Sequence, residues 1–179
     1  NLLLTRTCLL TGHPLPPDSC IDYAISYYEQ KKDCLNLAEA YFYKGRSFLN
    51  RHEYVKAMYD CKQAQLQAIQ SGDLKQQHKI VEEIAYVNGF TSNYHLQLQN
   101  AKEALRLAKA LQDDNRIAFS YNFINRAFLG LGISDSAYIY AQKTIPYLQS
   151  VKEKDMAYFL TIIGLSYRYT NPEKSKYYC

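Results

Sequence analysis

Four histidines, His13, His52, His78 and His95, and two adjacent acidic pairs, Glu82-Glu83 and Asp113-Asp114, stand out in this sequence as groups that could move protons. General acid–base work needs such groups to converge on one substrate atom, and nucleophilic chemistry needs a nucleophile within reach of a base. The histidines fall in different segments, mostly near predicted helix ends, and residues adjacent in sequence diverge on a helix. The acidic pairs therefore read as solvated charge. No G-x-S-x-G, H-E-x-x-H or Gly-rich phosphate loop is present. The five cysteines, Cys8, Cys20, Cys34, Cys61 and Cys179, include no C-x-x-C and have no histidine at zinc-finger spacing, so they read as small apolar residues. A disulfide in an oxidising compartment stays open, with no pair selected. The expectation is no catalytic residue, no metal, no cofactor and no enzyme.

The elements that carry these residues are helices. The 179 residues are 47% hydrophobic and 21% charged, enough for a packed core, and Gly (7) and Pro (5) are too scarce for a turn-rich β chain. Tyr (18) is abundant and Trp absent, which favours helix seams filled by rings. A net charge of +4 is too mild to advertise nucleic-acid binding by field alone. No stretch reaches the roughly 18 apolar residues of a spanning helix. The first residue is Asn, and both ends break inside apolar text, which reads as a piece of a longer protein. Helical periodicity predicts segments at about 18–30, 35–50, 54–71, 74–93, 97–112, 115–131, 135–150 and 154–170, with a stub from Pro172. Gly72 and Gly132 suit left-handed C-terminal positions, Asp73 and Asp135 suit N-caps, and no segment alternates as a strand. The class expected is all-α.

Small residues recur in alternate helices. From Gly45 an aromatic follows three residues on (Phe48), Ala twelve on (Ala57) and Ala nineteen on (Ala64). Gly89 gives Ser92, Ala101 and Ala108 at the same offsets, Asn125 gives Phe128, Ala137 and Thr144, and Gly164 gives Tyr167. Antiparallel helices cross closely where minimal side chains meet, and each pair leaves an apolar face that the next pair must cover. The pattern resembles the tetratricopeptide repeat, a helix–turn–helix unit of ~34 residues. Its matches are Tyr41, Gly45, Phe48, Tyr54, Ala57 and Ala64; then Gly89, Leu98, Ala101, Leu105 and Ala108; then Tyr121, Phe128, Gly132 and Ala137; then Leu160, Gly164 and Tyr167. Asn125, Ser92, Thr144 and Lys176 depart from it. The resemblance implies an α-α superhelix, a right-handed solenoid of antiparallel helix pairs forming one domain over 1–179. It consists of a degenerate pair at 1–37, repeats at 38–72, 73–113 and 114–151, and a truncated repeat at 152–179. The text around Pro17-Asp18-Ser19, from Tyr41 to Arg46 and from Gly132 to Ala137 is similar to modules of bacterial extracytoplasmic lipoproteins and sensor regulators. That similarity implies signal transduction in a periplasmic or membrane-anchored setting, through a segment outside this chain.

In such an array the first helices line an inner groove. With the small residue facing its partner, the lining is Glu39, Phe42, Arg46 and Asn50, then Tyr86, Phe90, Asn93 and Tyr94, then Phe119, Asn122 and Arg126, then Tyr158, Thr161, Arg168 and Tyr169. Rings supply contact area, Asn can bond an extended backbone, and Arg can clamp a carboxylate. The competing expectation is that rings such as Phe42 and Phe119 are core, and that the arginines pair with Glu39 or a neighbouring helix. Chaperone-tail binding is not expected, because Phe42 and Arg46 stand where the carboxylate clamp of chaperone-binding relatives has Lys and Asn. The function expected is a non-enzymatic scaffold that binds a protein or peptide partner. The alternatives are RNA or single-strand binding by a helical repeat, and an architectural or oligomerisation module with Leu2–Leu10 and Tyr177–Tyr178 as interface.

Overall fold

The computed structural model describes residues 18–168 and 170–178. They form α1 (Asp18–Lys31), α2 (Cys34–Asn50), α3 (Tyr54–Ser71), α4 (Leu74–Phe90), α5 (Tyr94–Ala110), α6 (Asp114–Gly130), α7 (Ser134–Thr144), a 3-10 turn (Ile145–Ser150), α8 (Glu153–Tyr167) and α9 (Pro172–Tyr178). The class is all-α, with no strand among the described residues. The segment Leu2–Leu10 lies outside them.

Among the described residues one turn is used six times. Lys32, His52, Gly72, Ser92, Gln112 and Gly132 have φ between 53° and 72°, and their numbers advance by the same interval at every step. In five of the six turns the next residue donates its backbone N–H five residues back, as Glu53 does to the Phe48 carbonyl at 3.0 Å. This closure satisfies the last carbonyls of the helix. The following helix starts at once, and two such helices with their turns make one repeat. Before α2, α4 and α6 the carboxylates of Asp33, Asp73 and Asp113, each one repeat from the next, accept from the N–H of Asn36, Gln76 and Arg116 at 3.1, 2.7 and 3.1 Å. Glu53, Asn93 and Ile133 precede α3, α5 and α7 without a side-chain cap bond. Asp135, expected as a cap, is instead the second residue of α7.

This cadence corrects the register read from Gly89. The buried small positions of the first helices are Gly45, Ala85, Asn125 and Gly164, evenly spaced except that the last interval is shorter by a single residue. Gly89 sits one turn later, in the place that Leu49 holds in α2. It is small for a different reason: a Cβ there would come within 2.8 Å of the Gln97 side chain. In the first unit Leu49 packs with Ala57 and Val87, whereas one repeat on Gly89 meets Gln97. Large and small have changed places across one contact.

Other departures have local causes. The segment expected over 74–93 stops at Phe90 because Ser92 takes the left-handed turn, so α5 begins at Tyr94 rather than 97. The segment expected over 135–150 is α-helical only to Thr144, since Pro146 has no N–H to continue the ladder.

The chain packs as two compact units, the first ending at Val87 and the second beginning at Asn88. In the first, α1 packs on α2 and α2 on α3. Ile21, Ala24 and Ile25 meet Leu37 and Ala40, and Phe42, Tyr43, Cys61 and Ala64 meet Ile80 and Ile84. Burial pushes the Cys61 thiol pKa up, and a Cβ on Gly45 would lie 3.0 Å from its sulfur. In the second, α6 packs against α5, α7 and α8, and α9 covers α8. Asn125, the odd member of the small positions, accepts from the Ser166 hydroxyl of α8 at 2.7 Å.

Gly89→Leu alone will crowd Gln97 and lower stability by roughly 1–3 kcal/mol. Gly89→Leu/Gln97→Ala, which rebuilds the Leu49–Ala57 contact, is expected to recover that loss and exceed wild type in urea unfolding. It removes a helical glycine and a buried amide with no hydrogen-bond partner among the described residues.

Candidate functional site

In the first unit, the residues expected to line a groove satisfy one another. Phe42 is 6% exposed and belongs to the core cluster with Ala38, Tyr43 and Ile84. The Lys79 ammonium stands 4.0 Å from the Phe42 ring centroid and 4.7 Å from that of Tyr43. Glu39 takes a hydrogen bond from the Tyr43 hydroxyl at 3.0 Å and an ion pair from Lys79 at 3.6 Å. Arg46 does not reach for Glu39; its Nη1 donates to Glu83 Oε2 at 2.7 Å. Asn50 is the exposed last residue of α2, and Tyr86 is half-buried against Leu49 and Val87.

Glu83 is the residue that sequence reasoning misplaces. The sequence presents it as solvated charge, yet it is 4% exposed. Its position matches those of Tyr43 and Phe123, one repeat before and one after, both of them buried, and that register is the signal that could have found it. Burial raises the Glu83 carboxyl pKa above its ordinary value, against the opposing pull of Arg46 and Lys79.

The second unit differs. Asn122 is 1% exposed on α6, and neither its Oδ1 nor its Nδ2 has a hydrogen-bond partner among the described residues. One turn on, Arg126 is half-buried, with its guanidinium carbon 5.4 Å from the centroid of Phe90. It makes no ion pair among the described residues. The cause lies in the repeat. The place that Glu83 fills opposite Arg46 falls, on α8, at Ile162, which is buried. Phe90 is 44% exposed, so the end of α4 offers a ring face beside an open guanidinium.

The remaining expected residues divide. Phe119 packs edge-on against Phe159 at 4.8 Å, and Tyr158 does so at 6.1 Å, so both rings help to close the core around Phe159. Thr161 is exposed and its hydroxyl donates to the Ala157 carbonyl at 2.9 Å. Asn93 and Tyr94 are not on a first helix at all. Asn93 precedes α5 and its Nδ2 bonds Thr91 at 3.1 Å, while Tyr94 opens α5 with its ring where a Cβ on Gly130 would clash. Arg168 is exposed just past α8, and Tyr169 lies outside the described residues. No cluster of His, Cys, Asp and Glu suited to a metal ion exists among the described residues, and none of their helices is long and apolar enough to cross a membrane. Cys20, Cys34 and Cys61 are free thiols.

Arg46→Ala leaves Glu83 buried without its strongest counter-ion. The expected loss is roughly 2 kcal/mol, below the roughly 3–5 of fully enclosed pairs because the Arg46 side chain is 40% exposed. Because the folded pKa of Glu83 is raised, ionisation in the fold carries a penalty that is absent below the ordinary carboxylate value and grows as pH rises through the folded one. The deficit of Arg46→Ala will therefore be largest near neutrality and fade as pH falls toward the ordinary carboxylate value. Adding Glu83→Gln should restore most of it, as read by urea midpoints across pH.

No protein-family model matches the sequence, and no curated protein matches it.

Proposed function

We propose that the chain is a non-enzymatic peptide-binding module of tetratricopeptide type, and that Phe90, Asn122 and Arg126 hold the ligand. Its antiparallel helix pairs repeat every ~40 residues against the ~34 of the usual unit, so each helix is longer by roughly a turn. On this reading the pairs continue as a right-handed superhelix with the first helices inside. By resemblance to bacterial extracytoplasmic modules, the protein is the sensing part of a regulator.

The observation that carries the proposal is the unmet amide of Asn122 one turn from the uncompensated Arg126. A buried amide without partners costs roughly 1–3 kcal/mol, a cost that a ligand entering beside Arg126 relieves when it displaces the side chains covering Asn122 and supplies a donor and an acceptor together. A peptide unit has both. The guanidinium fork binds a carboxylate through two parallel hydrogen bonds in its own plane, which leaves a face of the group for the Phe90 ring. Four helical residues rise about 6 Å, close to two residues of extended chain at about 3.3 Å each. The ligand is accordingly an extended peptide with an acidic group two residues from the unit that Asn122 holds. Nucleic acid fits less well: Arg46 and Lys79, the cations of the first unit's equivalent face, already face Glu83 and Glu39.

Fluorescence anisotropy with a library of short acidic peptides tests this. Asn122→Leu and Arg126→Ala should each weaken the best binders by at least about tenfold. Asn122→Leu should meanwhile raise stability by about 1 kcal/mol, because it removes an unmet buried amide. Arg46→Ala/Glu83→Gln should bind as wild type does. Equal binding by wild type and both second-unit variants would refute the site.

A further inference from the structure

The outward face of α3 is unlike that of the other second helices. Val55, Tyr59, Leu66 and Ile69 are 55 to 86% exposed. Their spacing, i, i+4, i+11 and i+14, places them within about 40° of one line along the helix. The equivalent positions of α5 hold His95, Gln99, Arg106 and Lys109, so the repeat itself does not require an apolar face there. Isolated exposed apolar side chains need no explanation, but an aligned stripe marks an interaction surface.

The charges around the stripe identify the occupant. Lys62, exposed at its centre, bonds only the neutral Gln65, at 3.0 Å, and makes no ion pair among the described residues. The one carboxylate within α3, Asp60, is buried. A second copy packed antiparallel about a two-fold would match Val55 with Ile69 and Tyr59 with Leu66, but it would set Lys62 against Lys62 with no anion between them. An anionic membrane surface is drawn to helices with several cations on the polar face. Here the flanks are Gln63, Gln67 and Gln70, and Lys56 is paired with Glu53.

We infer that the outer face of α3 docks an amphipathic helix of another protein, with apolar residues at the same spacing and a carboxylate at its centre opposite Lys62. The paired helices bury the stripe, and the central ion pair fixes register and orientation. This surface shares no residue with the peptide site in the second unit.

The probe is a synthetic helical peptide with leucines at i, i+4, i+11 and i+14 and glutamate at i+7, with a twin that has lysine at i+7. The full chain should bind the glutamate peptide at least about tenfold more tightly than the twin, since like charges at the centre penalise the wrong partner. Lys62→Glu should reverse that order, and Leu66→Asp should abolish binding of both while leaving the circular dichroism and unfolding midpoint unchanged. The inference is overturned if the glutamate peptide does not bind, if the two peptides bind alike, or if Leu66→Asp has no effect. It is also overturned if the wild-type chain sediments as a dimer that Leu66→Asp disperses, or if it floats with phosphatidylserine vesicles and Leu66→Asp abolishes flotation.

Discussion

A single left-handed residue followed at once by a new helix is the constraint on which the rest of this structure depends. Because that turn returns at a constant interval from Lys32 to Gly132, helices α2 to α6 are forced to 17 or 18 residues. Only Gly72 and Gly132 adopt this conformation without cost; Lys32, His52, Ser92 and Gln112 hold it against their own Cβ. The closing backbone hydrogen bonds and the packing on either side must therefore outweigh roughly 1 kcal/mol or more at each of those four turns.

With helix length and phase fixed, chemistry is confined to substitutions at equivalent positions. Arg46 and Arg126 stand two repeats apart with the same relation to their helices, yet one faces Glu83 and the other has Ile162 in the matching place. The first pair is structural. The second arginine is left with donors to offer, beside an asparagine at the position where the first unit has Phe42. Asn122 and Gln97 each keep two unmet amide atoms in a buried place and so give up stability, but of the two it is Asn122 that stands one turn from an arginine with donors to offer.

The helical class is legible because apolar residues recur at helical spacing almost throughout, and Gly72 and Gly132 announce two of the turns. The remaining turns are hidden: nothing in the chemistry of Lys, His, Ser or Gln advertises a positive φ. Without them the period cannot be measured, and Gly89 passes for the small partner of its pair when its size answers to Gln97. The aspartates at 33, 73 and 113 state the repeat plainly, and reading them as caps would have placed Ala85 in register and Asn93 and Tyr94 outside the first helix. Of the candidate site, the residue types are visible but not their partners. Whether an arginine is satisfied depends on a side chain 37 residues away on another helix, as Glu83 is from Arg46, and only packing decides that.

The side-chain amide of Asn122 gives the most direct test, through its Nδ2 proton resonances in 15N-labelled protein, assigned by their loss in a variant at that position. On titration with a short acidic peptide that binds, these resonances should move downfield together with Arg126 Nε, as both groups acquire hydrogen-bond acceptors. Saturated peptide binding that leaves both signals where they stand in the free protein would contradict the claim that this pair is left without partners for a ligand to supply.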